Sequence, residues 1–188
     1  MTETTTRPRD EARPAAAATH VAAPRPDDPR LRAWVAFLRA HAAVSRRLEA
    51  ELAAERGLSL AEYDALVQLA VADDRRLRMS ELADRVVLSR SGVSRLVDRL
   101  VADGLVTRRA CPNDARGSWA ELTPAGIDRL RDAAPVHLRG VEAHFLAHIA
   151  EGDRDALARS LEAVLAGLAA AADELPPACT TVAEALEP

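Results

Sequence analysis

Between Leu31 and Leu52 the chain repeats at intervals of three and four: Leu31, Trp34, Leu38, His41, Ser45, Leu48 and Leu52 share one register. That period predicts one face of a long helix ending near Ala54, before Arg56-Gly57. His41 and Ser45 interrupt the apolar stripe with polar atoms. Ser59-Leu60-Ala61-Glu62 has the form of a capping box and opens a second helix with Tyr63, Leu66, Val67 and Ala70 inward. Asp73-Asp74-Arg75-Arg76 reads as a charged loop, and a third helix starts at the cap Ser80, carrying Leu82, Ala83 and Val86.

A fourth helix from Ser89 to Ala102 places Val93, Leu96, Val97 and Leu100 on its buried side. Its other side shows Ser91, Ser94, Arg95, Asp98 and Arg99. Leu105 to Ala110 and Ser118 to Leu122 read as two short strands around a seven-residue loop. In that loop Cys111-Pro112-Asn113-Asp114 is turn chemistry and Gly117 relieves the return. Thr123-Pro124 then caps a long helix with Ile127, Leu130, Ala134, Leu138, Val141, Phe145 and Ile149 in stripe, which Pro135 should kink or divide. Gly152-Asp153 separates it from a last helix with Leu157, Leu161, Val164, Leu165 and Leu168. The pattern gives a mainly α fold with a small β-hairpin wing: a winged helix-turn-helix plus a helical dimerisation domain.

The order of side-chain types in the fourth helix points to DNA. Small hydroxyl residues and Gly92 fill its first turn, so the helix end can approach base edges, and Ser89 caps it. Arg90 and Arg95 supply reach, and arginine pairs bidentately with guanine. The open N–H groups at the helix start favour phosphate, as does Ser80 with Arg78 just before it. Arg116 at the hairpin tip is placed for a minor groove, with Asp114 to hold its guanidinium. Because one such helix reads only a few base pairs, two copies of the chain on double-stranded DNA are expected, joined through the long terminal helices.

Charge first opposes this reading, with 25 basic residues, all arginine, against 29 acidic ones and a net charge of −4. Residues 75–122, however, hold ten arginines and six acidic residues, leaving −8 for the rest of the chain. Screening over ~8–10 Å lets a locally basic module attract phosphate from an acidic body. Aromatics at 3% and a dominance of alanine favour packed helices over a β-sandwich. Residues 1–29 carry five of the eleven prolines and read as a disordered tail. The expected organisation is that tail, a helical dimerisation region from 30–56 and 123–175, a DNA-binding domain over 57–122, and a flexible end over 176–188.

The run Arg90-Ser91-Gly92-Val93-Ser94-Arg95-Leu96-Val97-Asp98-Arg99-Leu100, then Gly104-Leu105-Val106, Asp114-x-Arg116 and Leu122-Thr123-x-x-Gly126, resembles the MarR family over roughly residues 31–173. The resemblance implies a homodimeric bacterial transcription regulator, usually a repressor on a palindrome. It further implies release from DNA by small, often aromatic, effectors bound between the dimerisation helices and the reading module. Many members carry a second arginine beside the wing arginine; Ala115 stands there here, which implies a weaker wing contact.

Trp34, His41, Tyr63 and His137 are polar-tipped or aromatic residues on helices that should meet near that cleft, where apolar walls with a few polar groups suit a small molecule. A tryptophan in a helical stripe is generally core and a lone histidine generally a satisfied hydrogen-bonding residue; His41 is the best candidate of the four, because it breaks an otherwise apolar stripe. His144 and His148 stand four apart but lack a third ligand, so no metal and no cofactor is expected. Cys111 and Cys179 make no disulfide framework. Cys111, close to Arg108 and Arg109, leaves open a redox-responsive regulator. A winged helix that contacts only protein stays open too. No glycine-rich phosphate loop, nucleophile elbow or carboxylate pair supports an enzyme, so no catalytic residue is expected. No stretch approaches the ~20 apolar residues of a membrane helix, and a cytoplasmic protein is expected.

Overall fold

A computed structural model describes residues 25, 27–86, 89–111 and 114–171, with the backbone alone at 90, 111, 114–117 and 169–171. Most of the expected N-terminal tail and the whole of 176–188, with Cys179, lie outside the described residues. The chain divides into two compact units, residues 1–38 and 39–188. In the first, Trp34 and Phe37 stack with centroids 6.1 Å apart.

Helix α1 spans Leu31–Arg56, and its stripe is buried only at Leu48 and Leu52. Helix α2, Leu60–Ala70, opens on the capping box read from the sequence: Ser59 Oγ accepts from the Glu62 N–H, and Glu62 Oε2 accepts from the Ser59 N–H at 3.0 Å. The charged segment after α2 differs from expectation. Only Asp73–Arg75 turns, with Asp74 and Arg75 at φ of 54°, and Arg76–Arg78 forms a strand, β1. Three residues alternating exposed, buried, exposed are too few to signal a strand; Leu77 is the one drawn into the core.

Helix α3, Met79–Arg85, follows β1 without a linker, so Arg78 is its cap rather than Ser80. Glu81 Oε2 accepts from the Arg78 N–H at 2.9 Å, and Ser80 sits exposed in the first turn. Helix α4 is Arg90–Ala102, capped by Ser89. Strands β2, Val106–Cys111, and β3, Asp114–Leu122, extend further toward the tip than the sequence pattern predicts. The pairing is irregular there: Ala110 opposes Ser118, but Cys111 opposes Asp114. The antiparallel sheet has the order β1-β3-β2.

Helix α5 runs Pro124–His144 and is not divided at Pro135. Pro135 and Arg131 are both exposed, so the lost backbone bond lies on the solvent side of the helix rather than in the core. The break falls instead at Phe145, followed by a turn at Leu146–His148, and α6 spans Glu151–Ala171 with Gly152 inside its first turn. His144 and His148 are thus separated by a helix end, and His144 Nε2 lies 2.6 Å from Glu51 Oε1.

One core joins α2, α3, α4, the sheet and the first half of α5, with Leu66, Leu82, Leu96, Leu100, Ala120 and Leu130 fully enclosed. Each leucine of this kind contributes about 1.5–3 kcal/mol of burial. Among the described residues no helix is long and apolar enough to cross a membrane.

Candidate nucleic-acid interface

Helix α4 turns its apolar side wholly inward: Val93, Leu96, Val97 and Leu100 are at most 1% exposed. That anchoring fixes its rotation, which leaves Ser89, Ser91 and Arg95 exposed and Ser94 half-buried on the other side. Ser89 Oγ accepts from the Gly92 N–H at 3.2 Å and lies 3.2 Å from Ser91 Oγ. The first turn therefore offers small hydroxyls and backbone donors with little bulk.

Polar struts hold the helix on both sides. Arg99 Nε donates to Glu62 Oε1 at 2.9 Å, tying α4 to the capping box of α2. Burial pushes the Glu62 carboxyl up, but the Ser59 hydrogen bonds and the Arg99 guanidinium outweigh it and hold the group below its usual range. Arg108 on β2 pairs with Asp98 at 3.0 Å and reaches the Ser94 carbonyl at 3.4 Å. Arg99, expected at DNA, thus carries a strut contact, while its side chain remains 58% exposed.

Arg90 is the first residue of α4, and Asp114 and Arg116 lie on β3; the side chains of all three are outside the described residues, as is that of Cys111. Arg78 is exposed at the junction of β1 and α3, beside Ser80. The wing holds an arrangement that sequence reading missed. The guanidinium carbons of Arg76 and Arg78 stand 5.3 and 5.2 Å from the centre of the Trp119 ring. Without β1 nothing in the sequence sets these residues side by side; the alternation Arg76-Leu77-Arg78 was the available signal.

Of the four residues expected at an effector cleft, Tyr63 and His137 come together, stacked at 4.4 Å and 28° between α2 and α5. His137 Nδ1 is enclosed without a hydrogen-bond partner, and burial pulls the imidazole below its usual value. Burial likewise pushes the neighbouring Asp64 carboxyl up, opposed by a hydrogen bond with Gln68. His41 is exposed on α1, and Trp34 belongs to the other unit, where it stacks on Phe37.

The sequence model of the MarR family matches residues 56–117, from before α2 into the start of β3. Sco3205, a MarR family transcriptional regulator from Streptomyces coelicolor solved in complex with DNA, is 34% identical, with a TM-score of 0.66 over 72% of this chain and 85% of that one. The chain belongs to the MarR family. A second MarR regulator, AbsC of the same organism, agrees at 33% identity and a TM-score of 0.65 over 72% and 91% of the two chains. The HTH-type transcriptional repressor YetL of Bacillus subtilis (strain 168) is 38% identical over 90 residues, 48% of this chain and 54% of that repressor. The match thus spans about half of YetL's length. By their names these relatives are regulators of transcription.

Proposed function

We propose that the chain is a homodimeric, sequence-specific DNA-binding regulator, acting as a repressor on a palindrome. The observation that carries this is the start of α4, where Ser89, Ser91, Ser94 and Arg95 lie on the outer side of a helix fixed by its buried side. Such an end fits the major groove, with Arg95 and Arg90 reading base edges. Arg78 and Ser80 contact backbone phosphate, because the first helix of a helix-turn-helix crosses the backbone. Arg116, with Asp114 beside it, enters the neighbouring minor groove. The DNA complex of Sco3205 and the repressor name of YetL support this reading.

Binding to the chain's own upstream DNA, with scrambled competitor, tests it. Arg95→Ala should cost on the order of 1–3 kcal/mol on cognate DNA and narrow the gap to scrambled DNA. Equal loss on both would remove Arg95 from base readout. No binding at low salt would turn the winged helix into a protein-contact module.

Release by a small aromatic molecule belongs to the same proposal. Tyr63 and His137 give it an aromatic wall and an enclosed ring nitrogen without a partner. A molecule that prefers dimers with misplaced reading heads lowers DNA affinity by its differential affinity. Thermal shift with phenols and aromatic acids checks this, and a flat response across the set counts against it.

A further inference from the structure

The outer face of the wing sheet holds three residues brought together by strand register. Arg78 stands directly across from Trp119, and Arg76 across from Glu121. Leu77 between the two arginines is buried, so the alternation of β1 turns both guanidinium groups outward over the Trp119 ring. Each sits within the ~6 Å range where a cation is attracted by an indole face. Arg76 is also bridged to Asp74 at 2.9 Å. On the β2 side, Arg109 pairs with Glu121 at 2.7 Å, so that acidic neighbour in the register is already engaged.

Both arginines lie on the exposed side of β1, so the core does not dictate where their guanidinium groups rest. Buried Leu77 and the pairing with β3 anchor the strand. The arrangement gains meaning where an anion takes up both guanidinium groups. An arginine loses much rotamer freedom when it clasps a phosphate, and a guanidinium already laid on an indole has lost part of it beforehand.

We propose that Trp119 is a positioning residue for DNA binding, holding Arg78 and Arg76 in place for backbone phosphate. This rests on the phosphate role given to Arg78 above. Trp119 touches the arginines and not the bases, so its contribution is blind to sequence.

The experiment is a double-mutant cycle on full-length protein, read as DNA affinity on cognate and scrambled duplexes across a salt series. Arg76→Ala with Arg78→Ala should weaken both duplexes and flatten the salt dependence by about 0.9 in slope per lost phosphate contact. Trp119→Leu should weaken both by about two- to fivefold for each arginine held. It should cause no further loss once both arginines are gone, and Trp119→Phe should restore most of the affinity. With only two tryptophans in the chain, Trp34→Phe leaves Trp119 as sole reporter, and its emission should change when DNA is added.

A Trp119→Leu loss that persists without the arginines would make the residue structural and overturn the proposal. So would Trp119→Leu binding like the parent, or an emission unmoved by DNA. If the arginine pair itself can be removed at no cost in affinity or salt slope, the phosphate reading fails first and the positioning role falls with it.

Discussion

Two half-buried titratable groups show how single residues set the behaviour of this chain. His137 lies stacked on Tyr63 with Nδ1 enclosed, and burial depresses its pKa. The unfolded chain regains the usual value of about 6.5, so below that pH it binds a proton that the folded chain refuses. Stability is therefore fully present above about pH 6.5 and falls as pH drops through it toward the depressed native value. Melting temperatures measured from pH 7.5 to 5 should fall more steeply for the parent than for His137→Phe, which keeps the stacking and cannot be protonated. Parallel curves would show that the imidazole does not titrate in this range. Glu62 has the opposite linkage. Its native pKa is lowered, so its contribution is present above the usual carboxylate range and disappears as pH falls through the native value. Glu62→Ala removes half of a capping box and the strut to Arg99, and should cost about 0.5–2 kcal/mol in denaturant unfolding. Glu62 as a cap was legible in the sequence, because Ser-x-x-Glu is local chemistry. Its partnership with Arg99 was not, since 37 residues separate the two and only the packing of α4 on α2 brings them together.

At the scale of elements, the joint between the wing and α5 determines whether the reading head is carried rigidly. Thr123 Oγ1 accepts from the Gly126 N–H at 3.0 Å, and the same hydroxyl lies 2.8 Å from the Gly104 carbonyl and 3.0 Å from that of Leu105. One side chain thus joins the end of the wing, the start of α5 and the turn after α4, where Gly104 takes a φ of +72°. A Cβ on Gly126 would stand 2.2 Å from the Leu105 carbonyl oxygen, a backbone atom that can yield only by moving the turn. Gly126→Ala should therefore destabilise more than Thr123→Ala, which loses a cap worth about 0.5–2 kcal/mol. Chemical denaturation of both variants checks the order; a Gly126→Ala protein as stable as its parent would mean the turn relaxes freely. Elements whose signals are periodic or local, such as α2, α4 and the cap at Thr123, were readable in advance. Those decided by tertiary pairing or by exposure were not: β1 exists because β3 pairs with it, and α5 runs unbroken through Pro135, which lies on its exposed side. The same division runs through the candidate site. The first turn of α4 could be read from residue types, whereas Trp119 joins the arginines only through sheet register.

For the molecule as a whole, the terminal helices carry apolar surface that one copy of the chain leaves open. On α6, Leu161, Val164, Leu165 and Leu168 follow the i, i+3, i+4, i+7 spacing of a buried face, yet they are 36%, 59%, 42% and 53% exposed. On α1, Trp34, Val35, Phe37 and Leu38 are likewise 40–55% exposed. Scattered exposed leucines are ordinary, but a helical face of four in register is what a second copy would cover. A two-fold dimer would set two α4 helices against successive major grooves, about 34 Å apart, and convert two weak half-site contacts into one strong one. Leu165→Glu places a charge in the middle of the α6 face without touching the core of the DNA-binding module. The parent should sediment at twice the 20.2 kDa chain mass at micromolar concentration, and the variant at that chain mass. The variant should bind the full palindrome at least about tenfold more weakly while matching the parent on an isolated half-site, since each reading head is intact. A parent that sediments as a single chain and still binds the palindrome tightly would transfer the two-headed reading to assembly on DNA. A variant that stays dimeric and keeps its affinity would take the interface away from α6.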